Sequence, residues 1–130
     1  MQRLAAQGRA SSGSRAGTFS VAEASIDDLR TALEQKRTTS HEIVQQYLLR
    51  IATYEDQLNA IITVNPRALA IADSMDRERA RGRIHGPLHG IPIALKDNIN
   101  TTSMRTTGGA LAFRDLVPPY DATLAKNLEE

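Results

Sequence analysis

The chain has 130 residues, enough for one domain with a real if small core. Its 16 basic and 15 acidic residues give a formal charge of +1. Arg3, Arg9 and Arg15 all precede the first acid, Glu23, so the rest is slightly acidic and offers no electrostatic case for nucleic acid or an anionic membrane. The absence of cysteine excludes disulfides, zinc–thiolate sites and cysteine nucleophiles, and no apolar run approaches membrane-spanning length.

Residues 1–22 are rich in Ser, Gly, Ala and Arg, as in Ser11-Ser12-Gly13-Ser14-Arg15, and are predicted to form a flexible tail ahead of a body at 23–130. The lack of acids in this stretch is shared with organelle leaders, but no amphipathic pattern or apolar core supports one. An untargeted tail on a cytoplasmic protein is the expectation, with a leader role left open.

Ser25-Ile26-Asp27-Asp28 predicts a helix start, with a capping serine and acids in the first turn. Ile26, Leu29 and Leu33 would share its apolar face. After a break near Arg37-Thr38, Thr39 and Glu42 have capping-box spacing, and Ile43, Val44, Tyr47, Leu48 and Ile51 predict a second helix to about Tyr54. Ala60–Val64 is short and β-branched, and predicts a buried strand. Asn65-Pro66 predicts a third helix with proline in its first position, running to Gly82. Its Arg77, Arg79, Arg81 and Arg83 are expected as a solvated helix terminus. A last helix is predicted from Asp121 as N-cap, with Leu124 and Leu128 inward. Glu129-Glu130 oppose the dipole at its end, so the chain is expected to stop inside an element.

The chemically informative stretch is Gly86-Pro87-Leu88-His89-Gly90-Ile91-Pro92-Ile93-Ala94-Leu95-Lys96-Asp97-Asn98-Ile99. Ile91–Leu95 predicts an interior strand, apolar on both faces. Lys96 follows it, in a chain with 13 Arg and only three Lys. Burial would lower the pKa of a lysine and make it a general base, which an arginine cannot become. The alternative is a lysine whose stem packs on the sheet while its head snorkels out or pairs with Asp97. Both readings stand on these residues alone. His85 and His89 are four apart, a spacing that aligns metal ligands only on a helix. Gly86-Pro87 argues against a helix and no acidic cluster is near in sequence, so no metal is expected.

The Gly86–Ile99 string closely resembles the segment around the catalytic lysine of amidase-signature enzymes. Asn59–Val64 is similar to that family's N-terminal region, Thr106-Thr107-Gly108-Gly109 to its Thr-Thr-x-Gly-Ser loop, and Pro118-Pro119-Tyr120-Asp121-Ala122 to the lead-in to its next helix. The likeness covers about residues 25–130. It implies the N-terminal portion of an α/β/α fold with a mixed central sheet, and a Ser–cis-Ser–Lys triad with Lys96 as its basic end. The implied reaction is hydrolysis of a small-molecule carboxamide without a cofactor. Asp97, Asn98, Ser103, Thr106, Thr107 and Gly108 are the implied substrate-binding or supporting residues. Gly109 departs from the family, which often has serine there. The glycine- and serine-rich segment that supplies both catalytic serines in the family is missing, and Ser11, Ser12 and Ser14 lie in the tail, Ser25 and Ser40 read as caps and Ser74 as helical.

Three functions follow from this resemblance. One is a hydrolytic amidase, as a homodimer or alone. The second is the glutaminase subunit of a tRNA-dependent amidotransferase, which would need a hetero-oligomer. The third is an inert truncated product or interaction module. The 130 residues alone are expected to be inactive and poorly folded.

Overall fold

Two reciprocal capping pairs set where the first helices begin. The computed structural model describes residues 19–129. In it α1 spans Ile26–Glu34, α2 Ser40–Leu58, α3 Ala68–Ala80 and α4 Thr123–Glu129, with one 3-10 turn at Leu111–Phe113. Ser25 Oγ accepts from the Asp28 amide at 3.1 Å while the Asp28 carboxylate accepts from the Ser25 amide at 3.0 Å. Thr39 and Glu42 repeat the exchange at 3.1 and 3.0 Å. Each pair satisfies amides that a helix start leaves without partners.

The start of α2 gains a further cap from α3. The Asp76 carboxylate accepts from the amides of Ser40 (2.7 Å) and His41 (3.0 Å), and His41 Nδ1 meets Asp73 at 2.8 Å. Negative charge thus faces the positive end of the α2 dipole, and α2 and α3 are tied together. At its other end α2 runs past the expected Tyr54 to Leu58, and Asn59 closes it in a left-handed conformation.

The later helix starts differ from expectation. Asn65 Oδ1 accepts from the Arg67 amide, and the Asn65 carbonyl from the Ala68 amide, so Asn65-Pro66 makes a turn and α3 begins only at Ala68. Asp121 does not cap α4. Its carboxylate is committed to the Thr102 amide at 2.7 Å, and the Ala122 carbonyl accepts the first helical bond from Lys126. The register of α4 accordingly turns Ala125 inward and leaves Leu124 exposed.

The core is Val21, Leu29, Leu33, Ile43 and Ile91, with Phe19, Ala24 and Tyr47 packed against it. It draws on residues assigned above to the tail. Val21 is 4% exposed, its amide donates to Gln46 Oε1, and Gln46 Nε2 donates to the Phe19 carbonyl. The body therefore begins no later than Phe19, not at Glu23. The remainder of the expected tail, residues 1–18, lies outside the described residues.

No strand occurs among the described residues, which corrects the expected strands at 60–64 and 91–95. Ile62 is 62% exposed and Ile93 44%, and only Ile91 is buried. A strand requires a neighbouring chain to pair its amides and carbonyls, and an interior one requires cover on both faces. Neither segment has such a neighbour here, so the expected mixed sheet is not formed within this part of the molecule.

Candidate functional site

The lysine segment is fastened at its start and open at its end. Bonds from the His89 amide to the Gly86 carbonyl (3.2 Å) and from the Ile91 amide to the Leu88 carbonyl (2.9 Å) fold residues 86–91 into a tight turn. Arg79 Nη2 donates to the His89 carbonyl at 2.7 Å, so one member of the arginine-rich helix end is a clamp and not merely solvated. Gly90 has φ +80°, and a Cβ there would lie 2.1 Å from Ser40 Oγ. Only glycine lets this backbone pass so close to the first residue of α2. Ile91 then enters the core, and the chain leaves it.

From Pro92 onward the segment borders a groove of about 1000 Å³, which Lys96 lines together with Tyr47, Ile62, Ile93, Asn98 and Arg105. Lys96 is exposed in this chain, as in the snorkelling alternative and unlike a desolvated lysine at the end of a covered strand. The same missing cover explains both. Lys96 also makes no ion pair with Asp97, which the alternative reading had allowed, because that carboxylate is occupied elsewhere.

Asp97 organises the loop that follows. Its Oδ1 accepts from the Thr107 amide at 3.0 Å, its Oδ2 from the Thr107 hydroxyl and from the Gly109 amide at 3.2 Å, and its carbonyl from the Gly108 amide at 2.9 Å. The Thr107 hydroxyl, then the Thr107 amide, hold the Asp97 carboxyl below its ordinary value; partial desolvation opposes them, and the Gly109 and Gly108 amides add to the lowering. Because the amides of Thr107, Gly108 and Gly109 are all committed to Asp97, this loop is a brace and offers no free donor for an oxyanion. Gly108 and Gly109 both have positive φ, 57° and 74°. A Cβ at Gly109 would meet nothing within 4 Å, so the departure from the family's serine changes backbone preference and not packing.

The remaining expected residues divide. Asn98 and Gly108 are exposed and line the groove with Lys96, and Thr106 lines it while bonding through its amide to the Leu116 carbonyl. Ser103 does not border it, and its hydroxyl is paired with Thr101 at 2.9 Å. Residue spacing missed Ile62, and Met104 with Arg105, which come to the groove from two separate segments. His85 and His89 come together without the helix that their spacing would need. The Gly86–Leu88 turn stacks their rings with centroids 5.4 Å apart, and Glu78 joins them from α3.

A family model for amidases matches residues 42–130. The chain belongs to the amidase family. A putative amidase of Schizosaccharomyces pombe is 42% identical over 113 residues, covering 86% of this chain and 19% of that protein. A glutamyl-tRNA(Gln) amidotransferase subunit of Clostridium acetobutylicum is 40% identical over 110 residues, covering 84% of this chain and 23% of that one. Among solved structures, the native peptide amidase of Stenotrophomonas maltophilia superimposes with a TM-score of 0.80 at 43% identity, covering 83% of this chain and 23% of that chain. The present amidase-family chain thus spans about a fifth of the length of the curated relatives it matches. No described helix is long and apolar enough to cross a membrane.

Proposed function

We propose that this chain supplies the basic end of a Ser–cis-Ser–Lys relay in a carboxamide hydrolase. Lys96 would accept a proton from the bridging serine, which in turn takes the proton of the nucleophilic serine. That oxygen attacks the amide carbonyl, the nitrogen leaves as ammonia or an amine, and water cleaves the acyl-enzyme. The observation that carries this reading is the placement of Lys96. It lines the groove directly beside the braced Asp97–Gly109 loop, and the neighbouring carboxylate does not pair with it.

Among the described residues, three serines are already committed elsewhere. Ser103 is paired with Thr101, Ser25 caps α1, and Ser40 is buried against Gly90. Both relay serines are therefore proposed to lie outside these 130 residues, in the larger part of the amidase fold. That part would also cover Lys96 and exclude water from it. The test is amide hydrolysis by the full-length enzyme. Lys96→Ala and Lys96→Arg should both lose turnover, since guanidinium stays protonated. Near-normal hydrolysis by the arginine variant would overturn the assignment.

A second reading is supported by the glutamyl-tRNA(Gln) amidotransferase relatives, which at 38–40% identity stand near the amidases. Here the substrate is glutamine, and the released ammonia passes to a partner protein in a hetero-oligomer. Hydrolysis of simple amides by the protein without a partner favours the first reading. Glutamine-specific ammonia release that requires a partner favours the second.

A further inference from the structure

Outside the lysine groove, Glu78, His85 and His89 each place one ligand atom within 4.8 Å of the other two. Glu78 lies in the last turn of α3. His85 follows the reversal at Gly82 (φ +75°), and His89 is returned toward it by the Gly86–Leu88 turn.

The state of the buried His89 ring follows from its partners. Nε2 lies 3.0 Å from the Met75 carbonyl, which can only accept, so Nε2 carries the proton. Nδ1 faces the His85 amide, a donor, and so presents its lone pair there. At 3.5 Å that contact is long and weak. A ring with one N–H given to a backbone carbonyl and the opposite lone pair held only by a long, weak contact is close to the arrangement adopted by metal-ligating histidines. His85 Nε2 and Glu78 Oε2 stand 2.6 Å apart with side chains 52% and 26% exposed, so an ion can reach them from solvent. The cluster also sits at the C-terminal end of α3, where the helix dipole favours a cation.

We propose that Glu78, His85 and His89 form a binding site for a borderline divalent transition metal such as Zn2+. Two imidazole nitrogens and one carboxylate suit zinc, cobalt or nickel, whereas magnesium and calcium prefer shells of oxygen. Three protein ligands leave a fourth, tetrahedral position for water. Binding replaces the Glu78–His85 hydrogen bond and ties the end of α3 to the turn ahead of Gly90. Its role is to staple the base of the lysine segment. Arg83 acts electrostatically on Glu78 and opposes the cation.

The intact protein, untagged and stripped with chelator, is titrated with Zn2+ by calorimetry and with Co2+ by visible absorption. One saturable site per chain is expected, with a four-coordinate Co2+ spectrum and a raised thermal midpoint. Glu78→Gln and His85→Ala lie outside the core and should each weaken Zn2+ binding tenfold or more. His41→Ala, which alters the separate contact with Asp73, should leave it unchanged. His89 is buried and is followed without substitution, through its ring proton shifts on Zn2+ addition. Absence of saturable binding, unchanged affinity in His85→Ala, or shifts confined to His41 would overturn the proposal.

Discussion

The carboxylate of Asp97 receives both the amide and the hydroxyl of Thr107, binding the residue after the candidate lysine to a loop ten positions on. Asp97→Asn keeps the shape but loses the charge, and should cost about 1 kcal/mol, since hydrogen bonds to ionised groups are stronger than neutral ones and partial exposure screens the difference. The folded carboxyl titrates below its ordinary value of 3.8. Its contribution is therefore complete above about pH 4 and is lost as pH falls through the folded pKa. Thermal melts of the protein and of Asp97→Asn should differ at neutral pH and converge in acid. A gap that stays constant with pH would contradict the arrangement.

Gly90 and Ser40 offer a paired test. Gly90→Ala meets a left-handed penalty of about 1–2 kcal/mol and an overlap with Ser40 Oγ, which overpacking estimates put at about 1–3 kcal/mol more. Ser40 Oγ is buried without a hydrogen-bond partner. Ser40→Ala alone should thus be neutral or slightly stabilising. In the double variant the overlap with Oγ disappears while the 3.2 Å approach to the residue-40 Cβ and the backbone penalty persist, so denaturant unfolding should show a partial rescue. Strict additivity of the two changes would contradict the close approach.

Val21 decides where the folded body starts. Its truncation in Val21→Ala should cost about 1–3 kcal/mol, as deletions of buried methyl groups do. Deleting residues through Ala22 should cost at least as much, because the bonds between Gln46 and the Phe19–Val21 backbone go with it. Thermal denaturation of the two variants checks both statements.

Lys96 should separate activity from stability. It is exposed in this chain, so in the 130-residue protein Lys96→Ala should move unfolding free energy by no more than about 0.5 kcal/mol, the usual range for surface positions. Amide turnover by the full-length enzyme should nevertheless be lost. A large drop in the thermal midpoint would instead assign Lys96 a structural role.

What the sequence by itself determined lies within a few residues of each signal. The capping pairs Ser25–Asp28 and Thr39–Glu42 are local in the chain, and both formed as spaced because a helix start needs donors satisfied by groups three positions away. The lysine string and the loop at Thr106–Gly109 were legible as family motifs, and the family model matches the region that carries them. The local reading failed at Asp121, where capping chemistry was correct but a distant amide, that of Thr102, took the carboxylate first. Tertiary structure alone decided that Gly90 lies against Ser40, that Arg79 clamps His89, and that a turn joins His85 and His89 to Glu78. It also decided that the apolar runs at 60–64 and 91–95 are not strands here. Hydrophobic pattern records which residues favour a covered sheet, but pairing and cover are supplied by other segments, and no such segment lies beside them among residues 19–129.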